Sequence, residues 1–137
     1  MATAEVTYLG GLRTECVHLQ SGTVIHTDAP TDNHGKGEKF SPTDLVATAY
    51  ASCMLSIIGI YCNEHGHAYT HGKATVTKIM AASPRRIGKL VIEIDLTGNG
   101  WDAVTAEKVV RAAKACPVAK SIDQLVEIEL DIKLDEQ

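Results

Sequence analysis

Ser41-Pro42-Thr43-Asp44-Leu45-Val46-Ala47-Thr48-Ala49-Tyr50-Ala51-Ser52-Cys53-Met54-Leu55-Ser56-Ile57-Ile58-Gly59-Ile60-Tyr61-Cys62-Asn63 is the stretch on which the fold turns. Ser41 and Asp44 are spaced as a capping box, and Pro42 stands at the first helical position, where its missing N–H is no loss. The spacing predicts a helix from Pro42 to about Asn63. Its apolar residues leave almost no polar face, so burial on all sides is expected. The length approaches that of a membrane span, but Thr43, Asp44, Thr48, Ser52 and Ser56 favour a core helix over a transmembrane one.

Upstream, short β-branched runs alternate with turn residues: Val6-Thr7-Tyr8-Leu9, Gly10-Gly11, Leu12 to Leu19, Ser21-Gly22 and Thr23-Val24-Ile25-His26. That spacing predicts a three-stranded antiparallel meander. Residues 28–40 are polar, with Pro30 near their start, and are expected to form a mobile lid or site edge. Downstream, residues 69–81 and 86–96 predict two strands joined by a turn at Ser83-Pro84, the second alternating Leu90, Ile92, Ile94 and Leu96 with wetter positions. Asp102 or Thr105 can cap a second helix, in which Glu107 and Arg111 pair at i, i+4. Cys116-Pro117 opens a short third helix to about Asp123. A closing strand alternates Val126, Ile128, Leu130, Ile132 and Leu134 with acidic and basic residues. Strands with helices between them predict an α+β fold, with antiparallel sheet packed on the long central helix.

The whole of 1–137 is short enough for a single domain. Net charge is −4, from 13 basic and 17 acidic residues, so no basic stripe exists to neutralise phosphates and no nucleic acid is expected as partner. Met1-Ala2-Thr3-Ala4-Glu5 carries neither a basic segment nor an apolar run, which predicts a cytoplasmic protein, not bound to a membrane, with reduced thiols. In that setting the 4 cysteines are more naturally catalytic, metal-binding or buried than a structural disulfide framework.

Cys53, in the middle of the apolar helix, reads alone as a buried and inert thiol; chemistry there needs a nearby cation. Cys116, ahead of a helix start, is favoured as a thiolate by the unpaired N–H groups and is the more reactive of the two by this reasoning. Cys62 lies nine positions from Cys53, on the opposite helix face, so the two do not share a site. Cys62-x-x-His65-x-His67, with His71 beyond, has zinc-like composition without the second ligand pair of a finger, and no metal is expected. Cys16 and Arg13 lie on strand positions of opposite parity, and Cys16 reads as filler. Arg85 and Arg86 read as turn residues.

The strings from Phe40 to Cys53 and from Ala115 to Ser121 (Ala115-Cys116-Pro117-Val118-Ala119-Lys120-Ser121) resemble the two cysteine motifs of the OsmC/Ohr family. Gly10-Gly11-Leu12-Arg13 and Thr27-Asp28-Ala29-Pro30 resemble its OsmC-like branch in particular. The resemblance implies an intertwined homodimer with sites at the subunit interface. It implies a thiol peroxidase in which Cys53 attacks an organic, fatty-acid-type hydroperoxide and Cys116 resolves the oxidised sulfur as a disulfide. The implied recharging partner is a dithiol, such as a lipoylated protein, and no cofactor is required. It also implies an arginine, held by a glutamate, that activates the attacking thiol. Arg13 matches the arginine position of one branch, whereas that of another falls near Asn33 and His34. The glutamate's place is taken by Thr43; Asp44 follows, on the helix face away from Cys53, and Glu38 in the loop is a substitute. Tyr50, Met54 and Ile57 near Cys53 suit an organic peroxide. Two alternatives stand beside this one: a sulfur relay at Cys116, and a dimeric small-molecule binding protein without peroxidase activity.

Overall fold

The structure is a computed structural model that describes residues 1–136. These fall into two compact units, Met1–Val46 and Ala47–Gln137.

The first unit holds β1 (Ala4–Gly10), β2 (Arg13–His18) and β3 (Val24–Asp28), an antiparallel meander in the order β1-β2-β3, as the turn spacing predicts. Gly10, Gly11 and Leu12 take φ of 87°, 63° and 63° in the first turn, a run of left-handed backbone that two glycines make accessible. The second turn sets a regular register in which Val17 faces Val24, Thr14 faces Thr27 and Arg13 faces Asp28. Residues 29–40 are tied down more firmly than a mobile lid. A 3-10 turn spans Thr31–Asn33, the Gly35 N–H donates to the Pro30 carbonyl at 2.9 Å, and that of Gly37 to Ala29 at 3.3 Å. A Cβ on Gly35 would sit 1.7 Å from the Ala29 oxygen, so only glycine fits there.

The capping box forms as its spacing predicts. Asp44 N–H donates to Ser41 Oγ at 3.0 Å, and Ser41 N–H donates to Asp44 Oδ2 at 2.9 Å. It starts α1 (Pro42–His65), which continues into the second unit. There α1 buries one stripe, Ala47, Tyr50, Ala51, Met54, Ile58 and Cys62, at i, i+3 and i+4 spacing. Ala49, Ser52, Ser56 and Ile60 are exposed, Ile60 by 53%. Burial on all sides is therefore not met within one chain, because the chain supplies cover for a single face. Length and composition would let α1 cross a bilayer, but its stripe lies in the core of this unit.

β4 (Lys73–Ala81), β5 (Arg86–Asp95) and β6 (Glu127–Lys133) form the second sheet, in that order. Leu90, Ile92, Ile94 and Leu96 are at most 2% exposed and form the sheet's core face, as their alternation predicts. One element differs from the expected antiparallel sheet: β6 pairs with β5 in parallel, Ile92 facing Leu130 and Ile94 facing Ile132. Parallel neighbours need a crossover connection. α2 (Ala103–Lys114) and α3 (Pro117–Ile122) supply it. Asp102 caps α2 by accepting from the Thr105 N–H at 2.8 Å, and Val109 and Ala113 of that helix are fully buried.

Candidate active site

Cys53 and Cys116, 63 positions apart in sequence, come together in the second unit. Cys53 lies three turns into α1, half-buried, beside the core stripe. Cys116 caps α3, and its Sγ accepts from the Ala119 N–H at 3.4 Å. The two side chains are neighbours, close enough for Cys53 to act on the Cys116 thiol, and both are free thiols.

Their chemistry is set by burial. Cys116 is fully buried, which pushes its thiol pKa up; the Ala119 N–H pulls it down, and the hydrogen bond and charge of Cys53 push it up again. Burial is the largest of these effects, so the Cys116 thiol is held above its ordinary range. The helix start was expected to favour a Cys116 thiolate, and that expectation is corrected. α3 has 6 residues, and the pull of its N-terminus is outweighed by desolvation.

Tyr50 stands one turn before Cys53, 4% exposed, and its hydroxyl donates to Asp123 Oδ1 at 2.5 Å. Burial first, then Asp123, push the phenol's pKa up, so it remains a donor. Tyr50 and Met54 both lie in the core stripe, and Ile57 is half-buried. Cys62 lies deeper in that stripe, 1% exposed, with its pKa raised by burial. Cys16, half-buried on β2, has only Thr14 Oγ1 at 3.7 Å. The His65 and His67 rings stack with Tyr61, and His65 Nδ1 bonds the Tyr61 carbonyl at 2.9 Å. Among the described residues no three His, Cys, Asp or Glu side chains gather as metal ligands.

The first unit builds a different centre around Arg13. Arg13 opens β2 directly across from Asp28, which closes β3. Its Nε donates to Asp28 Oδ1 at 2.7 Å and its Nη2 to Asp28 Oδ2 at 2.8 Å, a two-pronged pairing. The same Nη2 reaches Glu38 Oε2 at 3.1 Å. Asp28 is 1% exposed and Glu38 66%, so the guanidinium is clamped from within and bridged from the surface. The hydrogen bonds from Arg13 hold the Asp28 carboxyl below the usual carboxylate range against the opposing effect of burial. Those two carboxylates keep Arg13 permanently charged.

Asp28 is the residue that sequence reasoning missed as a partner for Arg13. The turn at Ser21-Gly22 carried the signal, since extending the hairpin register outward from Val17 and Val24 pairs position 13 with position 28. Asp44 is occupied by the capping box, as expected, and Thr43 Oγ1 lies 3.2 Å from Ser41 Oγ. Asn33 ends the 3-10 turn with His34 behind it at φ 67°. Arg86 donates to the Ala82 and Pro84 carbonyls, both at 2.9 Å, as a turn residue should.

Residues 35–131 match the family model described as OsmC-like protein, and the chain belongs to that family. It is 48% identical, over 96% of both chains and with a TM-score of 0.90, to a solved protein from Psychrobacter arcticus 273-4 proposed to be an osmotic stress induced and detoxification response protein. It also shares its fold with an organic hydroperoxide resistance protein OsmC from Legionella pneumophila, at 22% identity over 97% of this chain and 98% of that one, TM-score 0.72. The organic hydroperoxide resistance protein OhrB of Bacillus subtilis is similar at 21% identity over 96% and 98% of the two chains, TM-score 0.65. No functionally curated protein matches.

Proposed function

We propose that this protein is a cytoplasmic thiol peroxidase that reduces organic hydroperoxides through Cys53 and Cys116. The observation that supports this reading is the pair of free thiols brought side by side, Cys53 half-buried and Cys116 buried with its pKa raised. In the first step the Cys53 thiolate attacks the terminal peroxide oxygen. The O–O bond breaks, the alcohol leaves with a proton, and Cys53 becomes a sulfenic acid. In the second, Cys116 condenses with it, forming the disulfide and releasing water. A dithiol, such as the lipoyl group of a partner protein, then takes the oxidation and restores both thiols.

Arg13 is assigned the part of the activating cation, on the strength of the family resemblance and of its fixed charge. Asp28, with Glu38 as the outer partner, supplies the carboxylate clamp that the resemblance gives to a glutamate where this chain has Thr43. No metal or organic cofactor enters the scheme. Residues 1–137 act as one OsmC-like domain, in a homodimer. The apolar side chains left exposed on β1, with Val6 at 64% and Tyr8 at 65%, and on α1, with Ile60 at 53%, support that assembly. Sedimentation at nanomolar concentration is expected to show a dimer or unfolded chain and no stable folded monomer. A sulfur relay at Cys116 is disfavoured by that thiol's complete burial.

Thiol counting tests the reading. Reduced protein mixed with one equivalent of an organic hydroperoxide should lose two free thiols per chain and yield a Cys53–Cys116 disulfide. Unchanged thiols would leave the small-molecule binding protein as the better account.

A further inference from the structure

Tyr50 is 4% exposed, and a buried phenol without a partner is costly. Its hydroxyl reaches the carboxylate of Asp123, 73 positions away, in the residue that caps the C-terminus of α3. Asp123 in turn donates its backbone N–H to the Ala119 carbonyl at 2.9 Å, and the Ala119 N–H is the donor to Cys116 Sγ. The contacts close a ring: from Cys53 to Cys116, along α3 to Asp123, across to Tyr50, and one turn of α1 back to Cys53.

α3 is 6 residues long, too short to hold its place by its own hydrogen bonds, so its position depends on such ties. Hydrogen bonds to a charged acceptor are the stronger kind, and this one joins the two helices that carry the sulfurs. We propose that the Tyr50–Asp123 hydrogen bond is the strut that holds α3, and with it the Cys116 thiol, in place beside Cys53, making Tyr50 and Asp123 positioning residues for disulfide formation. The proposal rests on the peroxidase reading above. In the step it serves, the S–O bond of the Cys53 sulfenic acid breaks and the S–S bond forms. The hydroxyl leaves with the Cys116 thiol proton as water, and the only oxidant is the hydroperoxide already consumed. Disulfide geometry is narrow, and small misplacements of reacting groups are expensive in rate.

Asp123 is exposed, so replacing it does not open the core. Full-length protein is mixed rapidly with cumene hydroperoxide, and Cys53 oxidation and disulfide formation are followed separately by quenching and mass spectrometry. In Asp123→Ala, disulfide formation is expected to slow about tenfold relative to Cys53 oxidation, with sulfinic acid accumulating under excess peroxide. Asp123→Asn, whose amide oxygen still accepts from the phenol, should restore most of that ratio, and Tyr50→Phe should reproduce the alanine variant. An unchanged ratio in Asp123→Ala, an equal slowing of both steps, or an asparagine variant no better than alanine would overturn the strut. A second arm replaces the peroxide with diamide, which drives the same disulfide without a sulfenic acid. If wild-type protein ignores cumene hydroperoxide, the peroxidase reading fails by itself, and the diamide arm still decides the strut.

Discussion

The thiol pair and the arginine cluster solve opposite electrostatic problems. At Cys116 the protein uses burial to keep a group neutral, and the backbone N–H groups of Ala119 and Val118 do not reverse this. Around Arg13 it keeps a group charged near the surface, with a buried carboxylate on one side and an exposed one on the other.

The largest effect should come from splitting the sulfurs. Cys53→Ser is expected to cut hydroperoxide consumption by about a thousandfold or more, the scale of removing a nucleophile. Cys116→Ser should still consume one equivalent, leaving a trappable sulfenic acid on Cys53 and no intrachain disulfide. The reverse pattern, measured by peroxide assay and dimedone labelling, would give the attacking role to Cys116.

Next comes the cation. Arg13→Ala should slow Cys53 oxidation by about a hundredfold, typical for loss of one well-placed donor, and should also lower the unfolding midpoint, because it leaves the buried Asp28 carboxylate without its partner. Arg13→Lys should recover only part of the rate, because an ammonium cannot reproduce the two-pronged pairing with Asp28. A wild-type rate in Arg13→Ala would detach the first unit's cluster from the chemistry.

Asp28 offers a gentler test through pH. Its folded pKa lies below the ordinary value, so the stability it contributes is present in full above the unfolded carboxylate pKa of about 4. It is lost as pH falls through the depressed folded value. Urea unfolding of Asp28→Asn should therefore differ from wild type most at pH 7 and progressively less below pH of about 4. A constant difference across that range would show that Asp28 acts through packing and not through its charge.

The smallest effect is expected where neither centre is touched. Ser41→Ala removes half of the capping box and should lower stability by about 1 kcal/mol in denaturant unfolding. A comparable loss of peroxide turnover would mean that the start of α1 is part of the site.

The sequence by itself determined the elements and their local chemistry. Ser41, Pro42 and Asp44 started α1, Asp102 or Thr105 marked the start of α2 with the structure choosing Asp102, and the alternation through Leu90, Ile92, Ile94 and Leu96 set which face of β5 is buried. These signals are legible because caps and periodicities act over a few residues. The two cysteine strings likewise marked Cys53 and Cys116 through their likeness to a family, while the helix start at Cys116 did not reveal that burial raises that thiol's pKa. Tertiary structure decided the rest: the parallel pairing of β6, the single buried stripe of α1, the clamp of Asp28 on Arg13, and the tie between Tyr50 and Asp123. Each joins groups that are distant along the chain or depends on how much cover the chain can provide. Desolvation, which sets the state of Cys116, is a property of everything packed around the thiol and so is not written in its immediate neighbours.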